Sequence, residues 1–199
     1  MTIRHPLSKR VAVAASVPIA LLASGALVWH ASYSAFSSTT SNPTNNWAAG
    51  TVSLSDDDSN TAMFTASNLK PGATGTKCIA VTSGGSLPST VKLYGTGAAT
   101  TNALSSSINL TVTQGTGGGY GSCTGFTPLV TGSSLFSGTL AGFASASTAF
   151  ANGLGTWAPT GSGSETRTYQ LTYTLDSAAP NTAQGGTAAL GFTWEAQNS

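Results

Sequence analysis

The sequence predicts an all-β fold, a jelly-roll-like antiparallel β-sandwich preceded by an N-terminal signal helix. Three observations predict it. Apolar and polar residues alternate with the two-residue period of half-buried strands, most cleanly in Tyr169–Leu175 and Ala188–Trp194. Such runs are short and are separated by clusters of Gly, Pro, Asn and Ser, the punctuation of a sandwich. Charged residues make up only 7% of the 199, against roughly a quarter in ordinary globular proteins, while Ser and Thr supply about a third of everything after residue 35. With 40% hydrophobic residues and a net charge of +1, this is a Ser/Thr-rich β surface and not a disordered chain.

Residues 1–34 carry the pattern of a secretory signal peptide. Arg4, Lys9 and Arg10 form a basic start, Val11–Val28 is uncharged and rich in Ala, Leu and Val, and Ser32 and Ser34 sit at −3 and −1 of a cut before Ala35. Cleavage is therefore expected between Ser34 and Ala35, by a signal peptidase during export. The alternative is a retained anchor. Its apolar run of 18 residues is near the lower limit for spanning a bilayer and is interrupted by Ser16, Pro18 and Ser24.

Residues 35–47 form a polar arm between two aromatic flanks, Phe36 and Trp47. Such an arm is a linker, or a strand that adds to the sheet edge of another copy. Residues 48–199 are expected to form a single sandwich domain. Its first strand is placed at Gly50–Leu54, and further strands at Lys77–Val81 and Thr90–Tyr94. Between them Pro71-Gly72 predicts a tight turn, because Pro presets φ at one turn position and Gly accepts positive φ at the next.

Asp56-Asp57-Asp58 offers three hard oxygen donors, but consecutive side chains diverge and the spaced calcium-loop pattern is absent, so a solvated turn is expected. Cys78 and Cys123 are the only cysteines. In an exported protein an even pair reads as a disulfide, closing a loop worth about 3–4 kcal/mol. A nucleophilic Cys needs a basic partner, and both histidines, His5 and His30, fall within the signal segment. Ile108, Leu110 and Val112 mark another strand. Gly115–Gly125 superficially resembles a phosphate loop but lacks the lysine and the following helix, leaving a loop pinned by Cys123. Leu135–Phe150 spaces apolar residues at three and four, the period of a short helix, and residues 158–166 read as a loop. Trp157 and Trp194 are expected in the core.

After Ala35 the cations Lys70, Lys77, Lys92 and Arg167 face six carboxylates, a net of −2, with no basic stripe for a nucleic acid. No catalytic, cofactor or metal constellation is recognisable.

Several segments together resemble the TasA/camelysin family. Tyr33-Ser34-Ala35-Phe36 followed by Trp47-Ala48-Ala49-Gly50-Thr51-Val52-Ser53-Leu54 is similar to the start of its members, which show Ala-Phe near the mature N-terminus and then an Ala-Gly-Thr strand. Ser67-Asn68-Leu69-Lys70-Pro71-Gly72 and Gly85-Ser86-Leu87 match two family elements almost letter for letter, and Gln184-Gly185-Gly186 with Phe192-Thr193-Trp194-Glu195-Ala196 resembles its closing strand. Residues 95–168 match nothing recognisable.

The resemblance implies a secreted, non-enzymatic structural protein of the extracellular matrix or cell surface. Family members of this kind polymerise into biofilm-matrix fibres, an N-terminal segment of one subunit completing the sheet of the next. On that implication the arm from Ala35 through Phe36 to Trp47 is the donor, and the partners are further copies, with cell-wall or matrix components beside them. Two alternatives stay open. Camelysin-like members are described as surface metallopeptidases, although zinc hydrolysis usually uses His ligands and the expected mature chain has none. The other is a monomeric surface-binding module.

Overall fold

The computed structural model describes residues 50–198. The signal segment, the Ser34–Ala35 cut and the arm residues Ala35, Phe36 and Trp47 lie outside the described residues.

The described chain forms antiparallel strands in two sheets. In order they are β1 (Leu54–Asp56), β2 (Thr74–Ser83), β3 (Ser89–Thr100), β4 (Ile108–Thr116), β5 (Thr127–Pro128), β6 (Ser134–Thr139), the helix α1 (Leu140–Ala146), β7 (Leu154–Trp157), β8 (Glu165–Leu175) and β9 (Ala188–Asn198). The larger sheet runs β1-β2-β8-β4, and β5 and β6 share the outer edge of β4. The smaller runs β7-β3-β9. Both predicted closing strands are present. In β8 Tyr169, Leu171 and Leu175 are buried, as the two-residue period requires.

The inner faces meet in one core. Ile79 and Val81 of β2, Leu110 and Val112 of β4, and Tyr169 and Leu171 of β8 pack against Val91 and Leu93 of β3 and Trp157 of β7. Each sheet thus buries one apolar face on the other, the architecture of an all-β sandwich. The unmatched middle of the sequence closes one side of this core. Phe143 of α1 is fully buried, with edge-on contact to Phe136 (centroids 5.2 Å, 81°) and a tilted contact to Phe192 (5.6 Å).

The Pro71-Gly72 turn forms as the residues dictate. Gly72 takes φ +81°, and Ala73 N–H donates to Lys70 O at 2.8 Å, the closing bond of a type II turn. Gly72 N–H then donates to Leu175 O, tying the turn to the end of β8.

Three expectations need correction. The helix predicted over Leu135–Phe150 is a strand in its first part. Phe136 pairs with Val112 and Gly138 with Leu110, so the open ladder of β4 overrides a weak helical period. Helix begins only at Leu140, where the Thr139 side chain accepts from Gly142 N–H at 3.0 Å. The first strand is displaced to Leu54–Asp56. Residues 51 and 53 instead tie the Gly84–Leu87 turn, with Gly84 N–H donating to Ser53 O and Ser86 N–H to Thr51 O. The loop placed at 158–166 stops earlier, because Glu165 and Thr166 already pair with Ser83 and Thr82.

Candidate assembly edge and its neighbouring clamp

Edges decide what a β-sandwich does with other chains, since an unpaired strand presents a row of free N–H and C=O groups. Among the described residues β9 pairs only with β3, over registers from Ser89↔Asn198 to Thr100↔Ala188. Its other edge has no strand beside it for eleven residues. Leu190, Phe192 and Trp194 point inward along this strand, yet each is only half-buried. The closing strand predicted from alternation is therefore present with an incomplete cover. Trp194, expected in the core, sits at its rim.

The gap beside β9 is a groove between the two sheets. A cavity of about 200 Å³ lies between Leu54–Asp56 of β1 and Phe192–Trp194 of β9. A second, of about 440 Å³, lies between residues 58–64 and Leu190–Trp194, with Ile79 also in its lining. Phe192 and Trp194 line both, so the two share one side of the sandwich. The Trp194 indole lies against the Tyr169 ring at 5.2 Å, tilted by 52°. The pair does not reach hydrogen-bond geometry, and Trp194 Nε1 is buried without a partner among the described residues. A buried donor left unpaired costs roughly 1–3 kcal/mol. An incoming backbone carbonyl would relieve that cost.

The groove's polar rim is acidic. Asp56 lines the smaller cavity; partial burial first, then the side-chain interaction with Asp58 and the charges of Asp58 and Asp57, hold its pKa above the ordinary value against the lowering by the Asp58 N–H bond. Asp56 Oδ1 accepts from Asp58 N–H at 3.3 Å and Asp58 Oδ1 from Asn60 N–H at 2.6 Å, so these two shape a turn. Asp57 does something the expected solvated turn did not include. Its Oδ1 accepts from Ala80 N–H of β2 at 2.9 Å, and its Oδ2 accepts from Tyr120 N–H at 2.7 Å. One carboxylate thereby clamps the loop after β4 to the β2 edge. A triplet of Asp carries no sign of this in sequence, because the two partners lie 23 and 63 residues away.

The disulfide expected from the cysteine count joins the same place. Cys78 of β2, fully buried, is bridged to Cys123 with Cα atoms 5.1 Å apart. Of the remaining sequence-predicted site residues, Ser67-Asn68-Leu69-Lys70-Pro71-Gly72 form the turn that enters β2, and none lines either cavity. Their role here is to shape the backbone: Asn68, at φ +55°, and Gly72 both occupy the left-handed region. Among the described residues no group of three His, Cys, Asp or Glu side chains comes together as a metal site, and no helix is long and apolar enough to cross a membrane.

No protein-family model matches this chain, and no curated protein matches it.

Proposed function

We propose that this is a secreted structural protein that assembles into extracellular or cell-surface fibres by strand addition between subunits, as its resemblance to the TasA/camelysin family implies. One observation carries the reading: the eleven-residue outer edge of β9, unpaired among the described residues, runs beside a groove lined by half-buried Leu190, Phe192 and Trp194. An added strand would satisfy the edge and cover those side chains together. The reading includes a jelly-roll winding. In its support, β2, β3 and β4 alternate between the two sheets, as do β8 and β9.

The donor is the arm Ala35–Trp47 of a neighbouring copy. It carries no charged residue, so it meets the acidic rim of Asp56 and Asp58 without repulsion. At ~3.3 Å per residue its extended length is about 40 Å, enough to follow β9. Pro43 lacks an N–H and must sit where the arm faces away from β9. An arm at one place on the chain and an acceptor at another give a heterologous contact, and such contacts build filaments when they do not close.

The test is a synthetic peptide of residues 35–47 added to protein that starts at Ala48. Amide exchange along β9 should slow, with β4 and β8 unchanged. Unaltered exchange at β9 under saturating peptide would remove the proposed acceptor.

A further inference from the structure

The larger sheet has a second vulnerable edge, and it is covered in an unusual way. On its outer side β2 pairs with β1 only from Val81 to Ser83, leaving Thr74–Ala80 without a strand. Loop backbone takes the strand's place at Cys78, and the Asp57 carboxylate takes it at Ala80. Cys78 forms a parallel bridge with Tyr120, and Gly121 N–H donates to Cys78 O at 3.1 Å. Asp57 accepts from Ala80 N–H and Tyr120 N–H, and Tyr120 Oη reaches Thr61 O and Ala62 O at 3.1 and 2.9 Å. The Cys78–Cys123 bond is the one covalent tie holding this cover on the edge. The loop itself is rich in glycine, with Gly117, Gly118, Gly121 and Gly125 all at positive φ. Its backbone gains little order of its own once untied.

We propose that the Cys78–Cys123 bridge is a redox latch over a second strand-accepting edge, and that reduction opens Thr74–Ala80 to the arm of another copy. A dithiol would supply the two electrons and two protons. The S–S bond breaks, Cys78 and Cys123 each become a thiol, and the dithiol closes to its own disulfide. The occupant follows from charge. Pairing β2 of one copy with β2 of another over the seven open residues would centre on Lys77 and set two lysines face to face. The uncharged arm 35–47 meets no such opposition. With the latch closed each subunit offers one acceptor and grows linearly; with it open each offers two and branches. This inference rests on the arm being a donor, as proposed above, but not on β9 being its acceptor.

The experiment is amide exchange on the full chain, oxidised and dithiol-reduced, with and without excess peptide 35–47. Reduction should speed exchange at Ala80, Tyr120 and Gly121 by at least about tenfold while β4 and β8 stay protected. Peptide should then slow Ala80 again, leaving Tyr120 and Gly121 fast. Protection that survives reduction overturns the latch, and an opened edge that ignores the peptide overturns the acceptor. A β9 response missing in both redox states would refute only the earlier reading. Should reduction unfold the sandwich, the Cys78→Val/Cys123→Ser chain is measured the same way. Loss of β4 and β8 protection there too overturns the proposal, because the bridge would then be a requirement of the fold.

Discussion

Replacing Phe143 by Ala tests whether the stretch of sequence that resembles no known element is nonetheless central to the core. Phe143 is fully buried and makes ring contacts with Phe136 of β6 and Phe192 of β9. Removing a buried phenyl ring costs about 3–5 kcal/mol, the lost transfer energy plus the cavity that remains. Within a total stability of roughly 5–15 kcal/mol the variant should still fold, with its melting temperature lowered by roughly 6–20 °C for a domain of this size. Gly95 packs against the ring, where a Cβ would lie 3.1 Å from it, and has no side chain to fill the space the ring leaves. Urea unfolding followed by tryptophan fluorescence gives the free energy, and an unchanged slope confirms that the folded and unfolded states remain comparable. Phe143→Leu separates the terms. It keeps most of the apolar bulk and loses the aromatic geometry, worth about 0.5–1.5 kcal/mol per ring pair. A loss below about 1 kcal/mol for Phe143→Ala would refute the argument, because it would mean that α1 does not close the sandwich.

Two further outcomes follow from the clamp and the carboxylates. Asp57→Ala removes the acceptor of Ala80 N–H and Tyr120 N–H and should cost about 1–2 kcal/mol by denaturant titration, since water partly replaces it at this exposed site; a neutral result would make the clamp incidental. In pH dependence, Glu165 and Asp56 act with opposite sign. Hydrogen bonds from the Thr160 hydroxyl and amide lower the Glu165 pKa, so its contribution is present above the unfolded value and lost as pH falls through the folded one. Burial first, and then the side-chain interaction with Asp58, outweigh the Asp58 N–H bond and raise that of Asp56, so its contribution is present below the unfolded value and lost as pH rises through the folded one. Melting curves from about pH 2 to about pH 7 should show Glu165→Gln flattening the loss at the acid extreme and Asp56→Asn removing the loss on the rise from it. Identical profiles for both variants would contradict the assignment.

What was legible in the sequence was what local chemistry decides. β4, β8 and β9 announced themselves through alternation, and Pro71-Gly72 through the φ values that only those residues favour together. Cys78 and Cys123 were readable by count. What was not legible depends on neighbours distant in the chain. Leu135 and Phe136 carry a helix-like spacing and became a strand because the edge of β4 stood open beside them. Asp57 looked like any acid in a turn until β2 and the Gly-rich loop brought two backbone amides to its oxygens. The groove was hidden for a different reason. Leu190, Phe192 and Trp194 alternate as a covered strand would, and nothing in that pattern tells whether the cover is supplied by the same chain.

Electron microscopy with size-exclusion chromatography of two forms decides whether subunits join by strand addition through the arm. One form starts at Ala35 and the other at Ala48. Filaments and early-eluting species are expected from the longer form, and monomers from the shorter. Monomers from both at high concentration, or filaments from both, would contradict strand addition through the arm.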